Sequence, residues 1–324
     1  MVEPAYDPFR AGPSAVGVRT GHLTDGVRGR QFPCDIWYPA GHVGQPLPLV
    51  VFSHLSGGSR RSSTFLCTHL ATHGYAVAAL DHSEVVAPEL APAPGESASA
   101  RAARAAAIVA SRVPDVRFLL SELLDDGQDR DGDDLRFDEF SFDRRRVAVV
   151  GHSFGGWTAL AAPESESRVA AVVALAPGGS SRPRPGILAV EVSFAWGREV
   201  PTLFLAGDED VMTPLEEIAE LFDRAPAPKR MFVVEGADHL HFVDDVERAH
   251  EELRQSTLPG EAAWIPAAMR PLADLCPPEQ AHEIVRGLTL AHLDATLRND
   301  HAARDFLERY ETDGGRGARR ARRS

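Results

Sequence analysis

Short, wholly apolar runs alternate along the chain with longer segments in which apolar residues recur at helical spacing. Residues 16–23 and 31–38 read as the strands of an opening β-meander, and 49–52, 75–80, 147–150, 169–175, 202–205 and 231–234 as further strands. Residues 62–73 read as a helix closed by Gly74. An Ala-rich helix covers about 100–124, with an interruption expected at Pro114. Another helix is expected to start directly after Ser153. Apolar strands separated by helices predict a mostly parallel central sheet, buried on both faces and flanked by helices, which is the α/β class. No Pro/Ser/Gly-rich linker divides the middle of the chain, so residues 1–312 read as a single domain.

Three stretches interrupt the pattern. Residues 85–98 are rich in Pro and Ala and read as a loop after a strand. Residues 125–143 carry nine acidic residues against two arginines and lie between a helix and the next strand, at the N-terminal edge of the sheet. Chemistry in open α/β sheets sits at the opposite edge. A calcium loop in this stretch fails at its first ligand position, where counting back from Gly132 gives Gly127, so a solvated acidic loop is expected. Residues 313–324 form an Arg-rich tail, disordered by composition.

Charge and cysteine content narrow the function classes. The 324 residues carry a formal net charge of −13, and Lys229 is the single lysine. That balance argues against nucleic acid or an anionic membrane as partner. No apolar run approaches the roughly 18 residues that a membrane helix needs. Cys34, Cys67 and Cys276 show neither metal-ligand spacing nor a disulfide framework, and no secretory pattern is read at the N-terminus. A cytoplasmic protein without metal or organic cofactor is the expectation; oligomeric state is left open.

The chemistry is concentrated after three of the strands. Gly151-x-Ser153-x-Gly155 follows the apolar run 147–150 and precedes a helix. This is a nucleophile elbow, a sharp strand-to-helix turn in which only glycine fits beside the serine. A serine hydroxyl needs a base within hydrogen-bond reach, and the base needs an orienting carboxylate. Residues 200–214 offer three carboxylates, Asp208, Glu209 and Asp210; the D-x-x-x-P spacing to Pro214 favours Asp210, leaving Asp208 to hold the turn. Residues 230–245 offer His239 and His241; His239 is favoured because it follows Gly-Ala-Asp directly, and His241 reads as a wall residue. Two backbone N–H groups are needed where negative charge develops. One is expected from Phe154, after the serine. The other is expected from the loop SHLSGGSR, with Ser56 as donor and His54 as a packed support.

Taken together, LVVFSHLSGG, LATHGYAVAALDH, RVPDVRFLL, VAVVGHSFGG, PTLFLAGDEDVMTP, GADHLHFVD and the closing GLTLAHLDATLRNDHAARDFL resemble the α/β-hydrolase superfamily. Within it the chain looks most like the esterases related to dienelactone hydrolase and to the platelet-activating-factor acetylhydrolases; bacterial polyester hydrolases are more distant. The resemblance covers about residues 31–306. It implies an α/β-hydrolase fold, with Ser153 as nucleophile, Asp210 as acid, His239 as base, and Phe154 and Ser56 as oxyanion donors. The family usually has glycine where this chain has Leu55, and leucine does not adopt a positive φ cheaply. The expected activity is hydrolysis of a small-molecule carboxylic ester through an acyl-enzyme. A lactone, thioester or amide, or acyl transfer to an acceptor other than water, would use the same triad. Residues 246–279 read either as a helical cap or lid beside the acyl pocket or as an excursion on the periphery. Trp157 reads as core, and Trp196 as core or pocket wall.

Overall fold

In the computed structural model, the described residues are 6–125, 135, 137, 139–313 and 317–320. Nine strands form one sheet in the order β1-β2-β4-β3-β5-β6-β7-β8-β9. They are β1 (Val16–Asp25), β2 (Arg30–Pro39), β3 (Leu47–Ser53), β4 (Ala76–Leu80), β5 (Phe142–His152), β6 (Val169–Leu175), β7 (Thr202–Gly207), β8 (Lys229–Val234) and β9 (Ala318–Arg320). Strands β3 to β8 run parallel to one another; β1 and β2 pair antiparallel on one side and β9 antiparallel on the other.

The parallel strands are apolar through their middles, where both faces are covered, while the starts of β5 (residues 143–146) and β8 (residues 229–230) are charged and less buried. Along β3, Leu49 and Val51 face one core while Val50 and Phe52 face the other. Val147 and Val149 of β5 share the first core, Ala148 and Val150 the second. The first face is covered by α3 (Ala98–Leu124), α4 (Phe154–Ser165) and α5 (Leu215–Arg224). The second is covered by α1 (Thr64–Thr72), α8 (Pro278–Leu297) and α9 (His301–Asp313). Three short elements lie outside these layers: α2 (Ser83–Val86), α6 (Val246–Gln255) and α7 (Ile265–Ala268). Among the described residues, no helix is long and apolar enough to cross a membrane.

Four expectations are corrected or bounded here. Helix α3 runs unbroken through Pro114; Arg112, Asp115 and Val116 on either side are fully buried, and their packing holds the helix across the lost hydrogen bond. The tail is not wholly without structure. Residues 318–320 pair with Phe232–Val234 of β8, and the buried Ala318 side chain joins the second core. An otherwise open sheet edge thus gains a partner, which composition alone does not reveal. Trp196 is core, not pocket wall: its indole N–H donates to Leu160 O at 3.1 Å and its ring lies in the core under α4. The acidic stretch 126–134 lies outside the described residues.

Candidate active site

The C-terminal ends of β3, β5, β7 and β8 converge on one edge of the sheet. Ser153 sits between β5 and α4 with φ 59° and ψ −117°, a conformation that costs a non-glycine residue about 1–3 kcal/mol. Its neighbours show why the turn needs glycine. A Cβ on Gly151 would stand 2.1 Å from Gly155 O, and one on Gly155 would stand 1.9 Å from Ser53 O. Both obstacles are backbone and cannot rotate away. Ser153 N–H donates to Leu175 O at 2.8 Å, and Ser153 O accepts from Trp157 and Gly178, so the strained residue is pinned from β6, the loop after it and α4.

The structure divides the three carboxylates after β7 among three tasks. Asp208 accepts Gly236 N–H at 2.7 Å and ties the β7 loop to the β8 loop. Glu209 points outward to Arg270 at 2.6 Å. Asp210 is buried; its Oδ1 accepts the amides of Met212 (2.8 Å) and Thr213 (2.9 Å). Asp210 Oδ2 lies 2.7 Å from the Thr213 hydroxyl and 2.7 Å from His239 Nδ1. His239 Nε2 in turn lies 2.8 Å from Ser153 Oγ. With Asp210 ionised, Nδ1 is the donor and Nε2 accepts from the serine hydroxyl. Burial works against a charged His239, but the adjacent Asp210 carboxylate outweighs it and holds the pKa above the ordinary histidine value. Thr213, which sequence reasoning missed, holds the carboxylate at its second oxygen.

His241 points away from Ser153. Its Nε2 donates to Cys276 O at 3.0 Å, while its Nδ1 lies 2.7 Å from Asp238 Oδ1 and 3.1 Å from the Asp238 amide nitrogen. The carboxylate beside Nδ1 favours the imidazolium. Burial opposes that charge, but Asp238 and the Cys276 carbonyl push the pKa up to about 10. His241 is therefore a structural cation that fixes the turn carrying His239, and not a wall residue. His152 packs 4.8 Å from the His239 ring and stacks on Phe242 at 5.4 Å; burial holds it well below the ordinary histidine pKa.

The two expected amides belong to the turns that follow β5 and β3. Phe154 opens α4, where a helix leaves its first N–H groups free. Ser56 lies in the turn after β3, whose last residue Ser53 is in register with Gly151. Among the described residues, neither the Phe154 nor the Ser56 amide is taken by another acceptor of the chain. The positive φ in this loop falls on Gly57 (71°), so Leu55 keeps an ordinary conformation. His54 donates from Nδ1 to Leu55 O at 2.7 Å and accepts His82 N–H at Nε2, the packed support that was expected. Burial, then the Arg112 cation, keep it neutral.

Residues 246–279 pack onto these loops. Leu240, next to His239, and Val211 and Met212, next to Asp210, cluster with Ile265, Met269, Trp264 and Ile187. Trp264 N–H donates to Pro185 O at 2.9 Å, tying this segment to the loop after β6. A groove of about 410 Å³ opens beside them, between Leu55, Ser59 and Arg61 on one bank and Leu240, Val243 and Arg248 on the other. Among the described residues, no group of three or more His, Cys, Asp or Glu side chains is placed to hold a metal ion.

Comparison with known proteins bears on the fold and on the kind of protein the chain resembles. A ferulic acid esterase from Streptomyces cinnamoneus superposes with a TM-score of 0.65 over 96% of this chain and 98% of its own, at 22% identity. The chain has the α/β-hydrolase fold. Its sequence similarities point to esterases of that fold. Residues 139–283 match the PET hydrolase-like family, and residues 28–90 match platelet-activating factor acetylhydrolase, isoform II. A platelet-activating factor acetylhydrolase of Cavia porcellus is 26% identical over 235 residues, 64% of this chain and 51% of that protein. One from Canis lupus familiaris is 29% identical over 163 residues, 43% of this chain and 37% of that protein. The chain thus spans about half the length, or less, of these curated relatives.

Proposed function

We propose that this protein of α/β-hydrolase fold is a serine hydrolase of carboxylic esters, with Ser153, His239 and Asp210 as its triad. The observation that carries the reading is the continuous relay from Ser153 Oγ to His239 Nε2 (2.8 Å) and from His239 Nδ1 to Asp210 Oδ2 (2.7 Å). Ser153 Oγ attacks the ester carbonyl carbon while its proton passes to His239 Nε2. Asp210 holds the ring in the tautomer that can accept this proton and stabilises the cation that results. The amides of Phe154 and Ser56 donate to the carbonyl oxygen as it becomes an oxyanion. Collapse breaks the bond to the alkoxy oxygen, which leaves as the alcohol with the proton from His239. Water then attacks the acyl-enzyme by the same route and restores Ser153. Val211, Met212, Leu240 and Ile265 supply the apolar wall for the acyl chain, with residues 246–279 as cap.

The esterases to which the sequence similarities point support this reading, and the test is direct. Hydrolysis of p-nitrophenyl esters from acetyl to palmitoyl is measured for the wild type and for Ser153→Ala. Turnover lost by at least about a thousandfold on substitution is expected, and the chain-length profile sizes the acyl wall. No ester turnover, with Ser153 still labelled by an alkyl phosphonate, would replace the ester by a lactone, thioester or amide. Neither turnover nor labelling would overturn the catalytic reading.

A further inference from the structure

Under the loop after β3 lies a buried cation that the triad does not use. Arg112, on α3, is the largest of the fully buried side chains, and its guanidinium reaches the backbone of that loop. One terminal nitrogen donates to His54 O at 2.7 Å and the other lies 3.4 Å from Leu55 O. Its charge is met by Glu84 of α2. The same guanidinium sits over the Phe154 ring, its Cζ 4.2 Å from the centroid. A single side chain therefore touches the segments that carry both proposed oxyanion amides.

The geometry points to Arg112 as the positioning residue of the oxyanion hole. The physical reason is the planarity of the trans peptide, in which C=O and N–H point in opposite directions. A donor that holds Leu55 O toward the interior turns the Ser56 N–H the other way, out of the core. The His54 carbonyl is held likewise, which fixes the preceding peptide plane. His54 adds a second donor to Leu55 O. A cation on a carbonyl also polarises the peptide, so its N–H becomes a stronger donor.

The rest of the network fixes Arg112 and its neighbours. Ser53 Oγ lies 2.8 Å from His82 Nε2, and His82 Nδ1 lies 3.2 Å from Asp115 Oδ2. Serine, histidine and aspartate are linked here in the same hydrogen-bonded sequence as at Ser153, though in a different order along the chain. All three are buried to within 1% of full, so no substrate carbonyl reaches Ser53. This relay is scaffold, and Arg28 closes it through Asp115 at 2.5 Å without touching the loop carbonyls.

The inference rests on the esterase reading, and the test separates the two. Full-length Arg112→Lys, Arg112→Met and, as scaffold control, Arg28→Lys are compared with wild type. The readouts are kcat and KM on p-nitrophenyl acetate, the rate of Ser153 phosphonylation, and near-ultraviolet circular dichroism with Tm. Lysine keeps the charge but lacks the planar fork that sets one nitrogen on His54 O and the other toward Leu55 O. We expect kcat to fall about 10- to 100-fold for both Arg112 variants, with KM within about threefold, because an oxyanion donor acts in the transition state. Phosphonylation slows in parallel, since that reaction also places charge on an oxygen in the hole. Arg28→Lys lowers Tm and leaves kcat within about twofold. A folded Arg112→Lys with wild-type kcat and phosphonylation rate would overturn the inference and leave the esterase reading standing. So would a loss matched by Arg28→Lys, or failure of both Arg112 variants to fold, either of which makes Arg112 scaffold. A wild type that neither turns over an ester nor is phosphonylated removes both readings together.

Discussion

Replacing Asp210 by asparagine is isosteric, and the hydrogen bonds around it say which way the new amide must face. Oδ1 accepts two backbone N–H groups, from Met212 and Thr213. An asparagine that turned its NH2 toward them would leave two buried amides unsatisfied, at about 1–3 kcal/mol each. Its oxygen therefore stays at that position, and its NH2 takes the place of Oδ2, 2.7 Å from His239 Nδ1. An NH2 there donates, so Nδ1 must accept and the ring proton moves to Nε2. That nitrogen then faces Ser153 Oγ with a hydrogen on it and cannot act as base. The wrong tautomer in a serine–histidine–aspartate site costs on the order of 10⁴ in kcat, about 5.5 kcal/mol of barrier. The assay is kcat for p-nitrophenyl acetate at pH 8, with Ser153→Ala as floor and with KM and Tm recorded. Losing the carboxylate also removes what raises the His239 pKa, so any residual activity has its acidic limb at lower pH than wild type. A folded Asp210→Asn enzyme within tenfold of wild type would refute the reasoning, and an unmoved acidic limb would refute its electrostatic half.

Two further outcomes follow from groups beside the triad. The folded pKa of His241 is pushed up from 6.5 to about 10 and that of Asp238 is lowered from 3.8. Their pairing therefore stabilises the fold fully between about pH 4 and 6.5, weakens as pH rises toward 10, and is lost in acid as Asp238 protonates. His241→Gln should cost about 3 kcal/mol at pH 5.5 and less than half of that at pH 10 by urea unfolding; a difference independent of pH would sink the assignment of His241 as a cation. Truncation after Asp313 removes β9 and the Glu235 N–H to Gly317 O bond of 2.9 Å. A loss of roughly 1–3 kcal/mol and a few degrees of Tm is expected, with more light scattering as the β8 edge is exposed; unchanged melting and scattering would show that β9 contributes nothing.

The sequence by itself determined what depends on neighbours along the chain. Apolar runs of strand length marked every parallel strand because a two-sided sheet buries every position of those runs. Gly151 and Gly155 were legible because the turn around Ser153 excludes a Cβ on local steric grounds, and the order serine, acid, histidine follows from the strands that each residue ends. Tertiary structure decided what depends on partners far away in the chain. Which of Asp208, Glu209 and Asp210 meets His239 was left to spacing until their different partners separated them. His241 turned from wall to cation through Asp238 and a carbonyl 35 residues on. Trp196 and Trp157 both proved to be core. Arg112 carries no local signal at all: an arginine in an amphipathic helix reads as solvated, and only the fold shows it fully buried with two loop carbonyls 57 and 58 residues back in the chain. Burial of a charge is favourable only where distant groups converge to compensate it, and that convergence is written in the packing of the elements, not in the pattern of any one of them.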